Sequence, residues 1–183
     1  MNNKITELLK STERKGIDGL IDHMSNEIGF FTAPCSGQYH GCKPGGLAEH
    51  SFNVCDVMCD LHLNSTLFDS IDKNSIIIAS LLHDLGKASY HNKPNYVPNI
   101  LTSGKVSGAK PYETNKDRLY IAHEIVSLQI ASKYIELTEE EEFAILYHNG
   151  LYTSSGRDIQ GKERPLQQLL HFSDMWCSRF IED

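Results

Sequence analysis

The stretch Leu81-Leu82-His83-Asp84-Leu85-Gly86-Lys87 constrains this chain most, because it sets an imidazole and a carboxylate at the end of a segment with no polar face. The run before it, Ile76-Ile77-Ile78-Ala79-Ser80-Leu81-Leu82, is apolar nearly all round, so a helix over it is a buried one. Two polar groups there cost several kcal/mol unless they are paired, hydrogen-bonded or bound to a cation. Gly86 suits the left-handed residue that stops a helix, with Lys87 just beyond it. Taken alone, His83-Asp84 reads as a helix end with a hydrogen-bonded core histidine. Four further residues of ligand type, His50, His123, His148 and Asp174, stand at the ends or on the faces of other predicted helices, and they turn the reading toward a metal. Helical folds assemble such sites from inward-facing His and carboxylate groups on several helices.

The periodicity supports those placements. From Ile5 to about Ile28 apolar groups recur at helical spacing, and Gly16 and Gly19 suggest a break into two helices. Residues 30–46 read as a loop punctuated by Pro34, Gly37, Gly41, Pro44, Gly45 and Gly46, within which Tyr39-His40 can face a substrate or pack on the surface. A helix over Leu47 to about Leu61 puts His50 on the apolar face with Leu47 and Val54. Ala88 to Asn115 lacks a helical pattern and suggests a β-hairpin flap with a Gly-containing turn. Between Ala88 and Arg118, Lys93, Lys105, Lys110, Lys116 and Arg118 outnumber the acids Glu113 and Asp117, a local basic patch that either guides a phosphate or is a solvated surface. Helical spacing resumes at about Asp117, with Leu119 and Val126 turning His123 inward. Thr138 and Glu141 form a capping box opening a helix whose last turn carries His148, before the stop at Asn149-Gly150. A polar loop with Arg157, Lys162 and Arg164 follows and is placed to contact substrate. Pro165 starts the last helix, with Asp174 among core-spaced Leu166, Leu169, Leu170 and Cys177, and with Trp176 and Phe180 read as packing. His171, one turn earlier, either orients Asp174 or caps the cluster.

Composition narrows the class. A chain of 183 residues suits one domain with a real core. Five cysteines, Cys35, Cys42, Cys55, Cys59 and Cys177, are odd in number and lack paired zinc spacing. With no secretory or membrane segment in view, a reduced, cytoplasmic protein is expected. Cys55 and Cys59, one helical turn apart, read as small core residues before a soft-metal or redox pair. The net charge of −7 argues against broad binding to duplex DNA, yet bound divalent cations would offset it where a phosphate must approach.

The order His50, His83-Asp84, Asp174 resembles the HD-domain superfamily of metal-dependent phosphohydrolases. His123 and His148, between the His-Asp pair and the last Asp, resemble the subgroup that holds two metals. Gly45-Gly46-Leu47-Ala48-Glu49-His50-Ser51 and Tyr147-His148-Asn149-Gly150 are similar to the HD modules of certain 3′ to 5′ exoribonucleases and of small bacterial or phage hydrolases. The GYP signature of the cyclic-di-GMP phosphodiesterases is absent, as is their adjacent histidine pair.

The resemblance implies an all-α HD-domain bundle spanning residues 1–183, with a helical extension over 1–38 and a hairpin insertion over 88–116. It implies one cation held by His50, His83, Asp84 and Asp174 and a second by His123, His148 and a bridging Asp84. The mixed nitrogen and oxygen set suits Mn²⁺, Fe²⁺, Co²⁺, Ni²⁺ or Zn²⁺ better than Ca²⁺. The expected reaction is hydrolysis of a nucleotide phosphate ester or anhydride by a metal-activated water, with Asp84 and Lys87 catalytic. Lys87, Tyr39, His40, Lys93 and Arg157 are the candidate substrate contacts, although Lys87 also reads as a simple helix C-terminal cation. The alternatives are a 3′ to 5′ nuclease or phosphodiesterase on short single strands or cyclic nucleotides, and a non-catalytic nucleotide sensor. No membrane partner is expected, and a homo-oligomer is compatible with the chain.

Overall fold

The computed structural model describes residues 1–182, and its frame is a helical bundle around one buried helix. In chain order the α-helices are α1 (Asn2–Ser11), α2 (Ile17–Asn26), α3 (Gly46–Asn64), α4 (Lys73–Leu82), α5 (His123–Ala131), α6 (Glu139–Leu146) and α7 (Pro165–Trp176). Short 3-10 turns join several of them, and a π-helical segment, Cys177–Ile181, continues α7.

Helix α4 is the axle. Asp72 caps it by accepting the Ser75 N–H (2.9 Å), and every residue from Ser75 to Leu82 is buried. Burying each Ile or Leu side chain there contributes about 1.5–3 kcal/mol. Helices α1, α3, α6 and α7 all pack on α4, so an all-apolar surface is required of it. Its polar Ser80 is satisfied within the helix, donating to the Ile76 carbonyl at 2.7 Å.

The hairpin forms as expected: β1 (Tyr96–Pro98) pairs antiparallel with β2 (Tyr112–Thr114), Val97 opposite Glu113. Ile100 and Val106 bridge further along, and Gly104 supplies the left-handed turn. The break between the first two helices falls at Gly16, which has φ +89°, whereas Gly19 lies inside α2.

Three local expectations are corrected. Helix α5 begins at His123 rather than near Asp117, and Leu119 and Tyr120 are exposed. The Arg118 guanidinium explains the delay: it donates to the carbonyls of Gly86 (2.8 Å) and Ala88 (2.7 Å), anchoring the preceding segment in a non-helical path. Gly86 is not left-handed but sits in the 3-10 turn Leu85–Lys87. Its need for glycine is steric, since a Cβ there would collide with the His123 carbonyl. Trp176 and Phe180 are exposed and stack along one face of the C-terminal helix with Phe172, their neighbouring rings 5.7 and 4.7 Å apart.

A buried carboxylate ties the bundle's far end together. Glu141 completes the capping box with Thr138, takes a bidentate pair from Arg14 (2.7 and 3.0 Å), and accepts the Ser75 hydroxyl at 2.8 Å. It therefore links the α1–α2 connection, α4 and α6. Removing one partner of such a pair strands the other. Glu141→Ala is expected to destabilise the fold by about 3 kcal/mol, read as a lower urea midpoint in equilibrium denaturation; an unchanged midpoint would refute that role.

Candidate metal centre

Four imidazoles and two carboxylates meet where the ends of α3, α4, α5, α6 and α7 converge. His50 lies on the first turns of α3, and His83 and Asp84 directly follow α4. His123 is the first residue of α5, His148 falls two residues beyond α6, and Asp174 lies on α7. His50, His83, Asp84 and His148 are essentially solvent-free, and His123 is partly open.

Three of the histidines have Nδ1 in a hydrogen bond, and the fourth has it beside a carboxylate. His83 Nδ1 faces the Ser80 carbonyl at 2.8 Å, and His148 Nδ1 the Ile145 carbonyl at 2.7 Å, so both nitrogens donate. His50 Nδ1 lies 3.0 Å from Glu182 and His123 Nδ1 3.2 Å from Glu124. This leaves all four Nε2 atoms directed at the centre, the arrangement in which a second partner orients a metal-ligating ring.

Asp84 divides the set. Its Oδ1 lies 3.1 Å from His123 Nε2 and 3.6 Å from His148 Nε2. Its Oδ2 lies 3.4 Å from His83 Nε2, 3.6 Å from His50 Nε2 and 2.6 Å from Lys87 Nζ. Asp174 Oδ1 closes the second group, 3.1 Å from His50 Nε2.

Among the described residues, the buried atoms His50 Nε2, His83 Nε2 and Asp84 Oδ1 have no hydrogen-bond partner. Buried polar atoms are rarely left so. His50, His83 and Asp174 form one group of mutually close donors, and His83, Asp84 and His148 another. Orphaned donors of mixed nitrogen and oxygen type, converging in a dry site, fit divalent cations.

The electrostatics agree. Burial opposes charge on Asp84, but Lys87 and the facing His83 and His123 outweigh it and hold the carboxyl well below its usual range. Burial likewise opposes charge on Asp174, and His50 overcomes it with the same sign. Burial, then the neighbouring His83, pushes His148 down to about 3. His50 is the exception: burial disfavours its cation, yet the carboxylates of Asp174 and Glu182 beside its two ring nitrogens raise its pKa well above the ordinary value.

Two residues absent from the sequence reading, Ser127 and Glu182, hold this geometry. The Ser127 hydroxyl lies 2.7 Å from the His83 carbonyl and 2.9 Å from that of His123, and accepts the Gly86 N–H at 2.8 Å. It pins the two ligand-bearing backbones together. Glu182 orients His50 through its Nδ1. His171 Nδ1 donates to the His148 carbonyl at 2.7 Å.

A cavity of about 450 Å³ opens onto the centre, bordered by Tyr39, His40, Lys87, Tyr152, His171, Asp174 and Arg179. Two expected substrate contacts lie elsewhere. Lys93 is exposed and donates to the Asp117 carbonyl at 2.6 Å, and Arg157 sits exposed on a 3-10 turn. Neither borders the cavity. Arg118, counted in the basic patch, is a backbone clamp.

The fold and site thus define a helical protein with a buried His/Asp cluster that could hold metal ions. The model for the HD domain matches residues 47–171, more than half of the chain, and the protein belongs to that family, whose members are generally metal-dependent phosphohydrolases. The match contains His50, His83, Asp84, His123 and His148; Asp174 falls three residues beyond its end. No solved structure matches the chain. Among the described residues, no helix is long and apolar enough to cross a membrane.

Cation binding needs a free Nε2 on His50, whose raised pKa leaves it protonated near neutral pH in the metal-free protein. Asp84 and Asp174 are already ionised there and His148 already neutral, so of these four groups His50 is the one with a proton to release. Metal affinity should therefore fall as pH drops through neutrality. Titration calorimetry in buffers of different ionisation enthalpy should detect release of about one proton per chain; a buffer-independent heat would contradict this charge assignment.

Proposed function

We propose that the protein is a binuclear metal-dependent phosphohydrolase acting on a nucleotide phosphate ester or anhydride. The observation that carries this reading is the split of Asp84, whose Oδ1 faces His123 and His148 while its Oδ2 faces His50 and His83. One carboxylate so placed can bridge two cations, the first shared with His50, His83 and Asp174, the second with His123 and His148. Bound divalent cations would supply Lewis acidity toward a phosphoryl oxygen and toward a water nucleophile.

The remaining work falls to the chain. Lys87, bound to Asp84 Oδ2 and bordering the cavity, is placed to neutralise charge on nonbridging phosphate oxygens. His40, His171 and Arg179 add polar and cationic groups to the same wall, while Tyr39 and Tyr152, both largely exposed, offer ring faces to a base. A cavity of about 450 Å³ has the size of a small-molecule site.

One observation favours the second reading, a 3′ to 5′ nuclease on short single strands. The exposed stack Phe172, Trp176 and Phe180 runs along the helix whose Met175 and Arg179 border the cavity, and it could carry successive bases.

The test is metal analysis with a screen of nucleoside phosphates, phosphodiesters and short single strands. Wild type should hold two cations per chain and turn over one class. Asp84→Ala should lose metal and at least about 100-fold in activity while keeping its helical fold at reduced stability, since Lys87 loses its partner, whereas Lys87→Ala should keep its metal and lose about 100-fold in kcat. Full turnover by the Asp84 variant would sink the proposal. Two bound cations with no turnover of any class would move a nucleotide-sensing role into its place.

A further inference from the structure

The loop ahead of α3 carries a second donor set that neither the HD match nor the Asp84 centre absorbs. Cys35 and His40 are brought together by a closed turn: the Cys35 N–H donates to the Gly41 carbonyl at 2.9 Å, and Gly41 has φ +59°. A Cβ at Gly41 would lie 2.7 Å from the Cys35 Cβ, so the turn closes only around a glycine. The Gly45 and Leu47 N–H groups donate to the carbonyls of Thr32 and Ala33, both at 3.0 Å, fastening the loop to the start of α3 one turn before His50.

The result is a built constellation. Donor atoms of Cys35, His40 and His50 all lie within 4.8 Å of one another. The His40 ring centroid is 4.9 Å from that of His50, and His40 Nε2 is buried with no hydrogen-bond partner among the described residues. His50 Nε2 is a second orphan in the same corner, in a residue with no solvent exposure. Cys35 is fully buried, its Sγ 3.8 Å from Asp84 Oδ2 and 3.9 Å from Lys87 Nζ. A buried thiol and two imidazoles suit a borderline or soft cation such as Zn²⁺, in contrast to the oxygen-richer Asp84 set.

We propose that Cys35, His40 and His50 form a sulfur-containing metal position for Zn²⁺-type cations, adjoining the Asp84 centre and sharing His50 with it. Glu182 engages His50 Nδ1, so the one free nitrogen serves a single cation at a time. The two positions are therefore alternatives for that ring. A cation held by Cys35 and His40 withdraws His50 from Asp174 and Asp84, which gives the protein a response to which metal is supplied. The inference rests on His50 being a ligand in the reading above, and the test is chosen to separate the two.

The experiment is titration of the metal-stripped full-length protein with Co²⁺ alone, followed by absorbance. Wild type should develop a near-ultraviolet thiolate-to-cobalt charge-transfer band beside the visible d–d bands. Cys35→Ser should lose the former and keep the latter, and the double variant Cys55→Ser/Cys59→Ser should keep both. His40→Ala alters a half-buried loop residue and leaves the core untouched; it should weaken the Co²⁺ affinity read from the charge-transfer band by about 10-fold or more. That variant keeps the proposal testable if the Cys35 variant does not fold. Visible bands without a charge-transfer band in wild type, a band that survives Cys35→Ser, or an unchanged affinity in His40→Ala would each overturn the sulfur position and leave the binuclear reading standing. No cobalt uptake of either kind would overturn both.

Discussion

The structure depends on a carboxylate held in a place where carboxylates do not ordinarily survive. Asp84 is all but excluded from solvent, and an unpaired anion there would cost several kcal/mol. Its compensation comes from every direction: Lys87 from the next turn, and histidines from four separate segments. The fold around it can be read as the scaffolding that compensation needs. Helix α4 must be apolar on all faces because the other helices pack around it to deliver their ligands. Gly86 must lack a side chain because α5 has to start against it, with the His123 carbonyl in contact.

Much of this was legible in residue types and spacing. The buried run before His83-Asp84, the inward face bearing His50, the capping box at Thr138 and the hairpin all follow from periodicity and turn chemistry, which are local. What escaped was tertiary. The anchor of His50, Glu182, lies 132 positions away, and the hydroxyl of Ser127 reaches the His83 carbonyl across 44. No periodic signal marks such pairs. The same holds for Glu141, whose local capping role was readable while its grip on Arg14, 127 residues distant, was not. The late start of α5 has a similar origin, since Arg118 spends its guanidinium on carbonyls some 30 residues earlier.

The region that defines the family and the region that shapes this site do not coincide. Residues 47–171 carry five of the six residues in the centre. Asp174, Glu182, Cys35 and His40, which decide how His50 is oriented and what else it can touch, lie on either side of that span.

The sole tryptophan of the chain, Trp176, follows two residues after Asp174, half-exposed and flanked by the rings of Phe172 and Phe180. Its indole emission therefore reports on one place only, the segment that carries a carboxylate of the centre and leads on to Glu182. Changes at that end of the bundle can be followed optically in the native protein, without a dye and without a second fluorophore of the same kind to subtract.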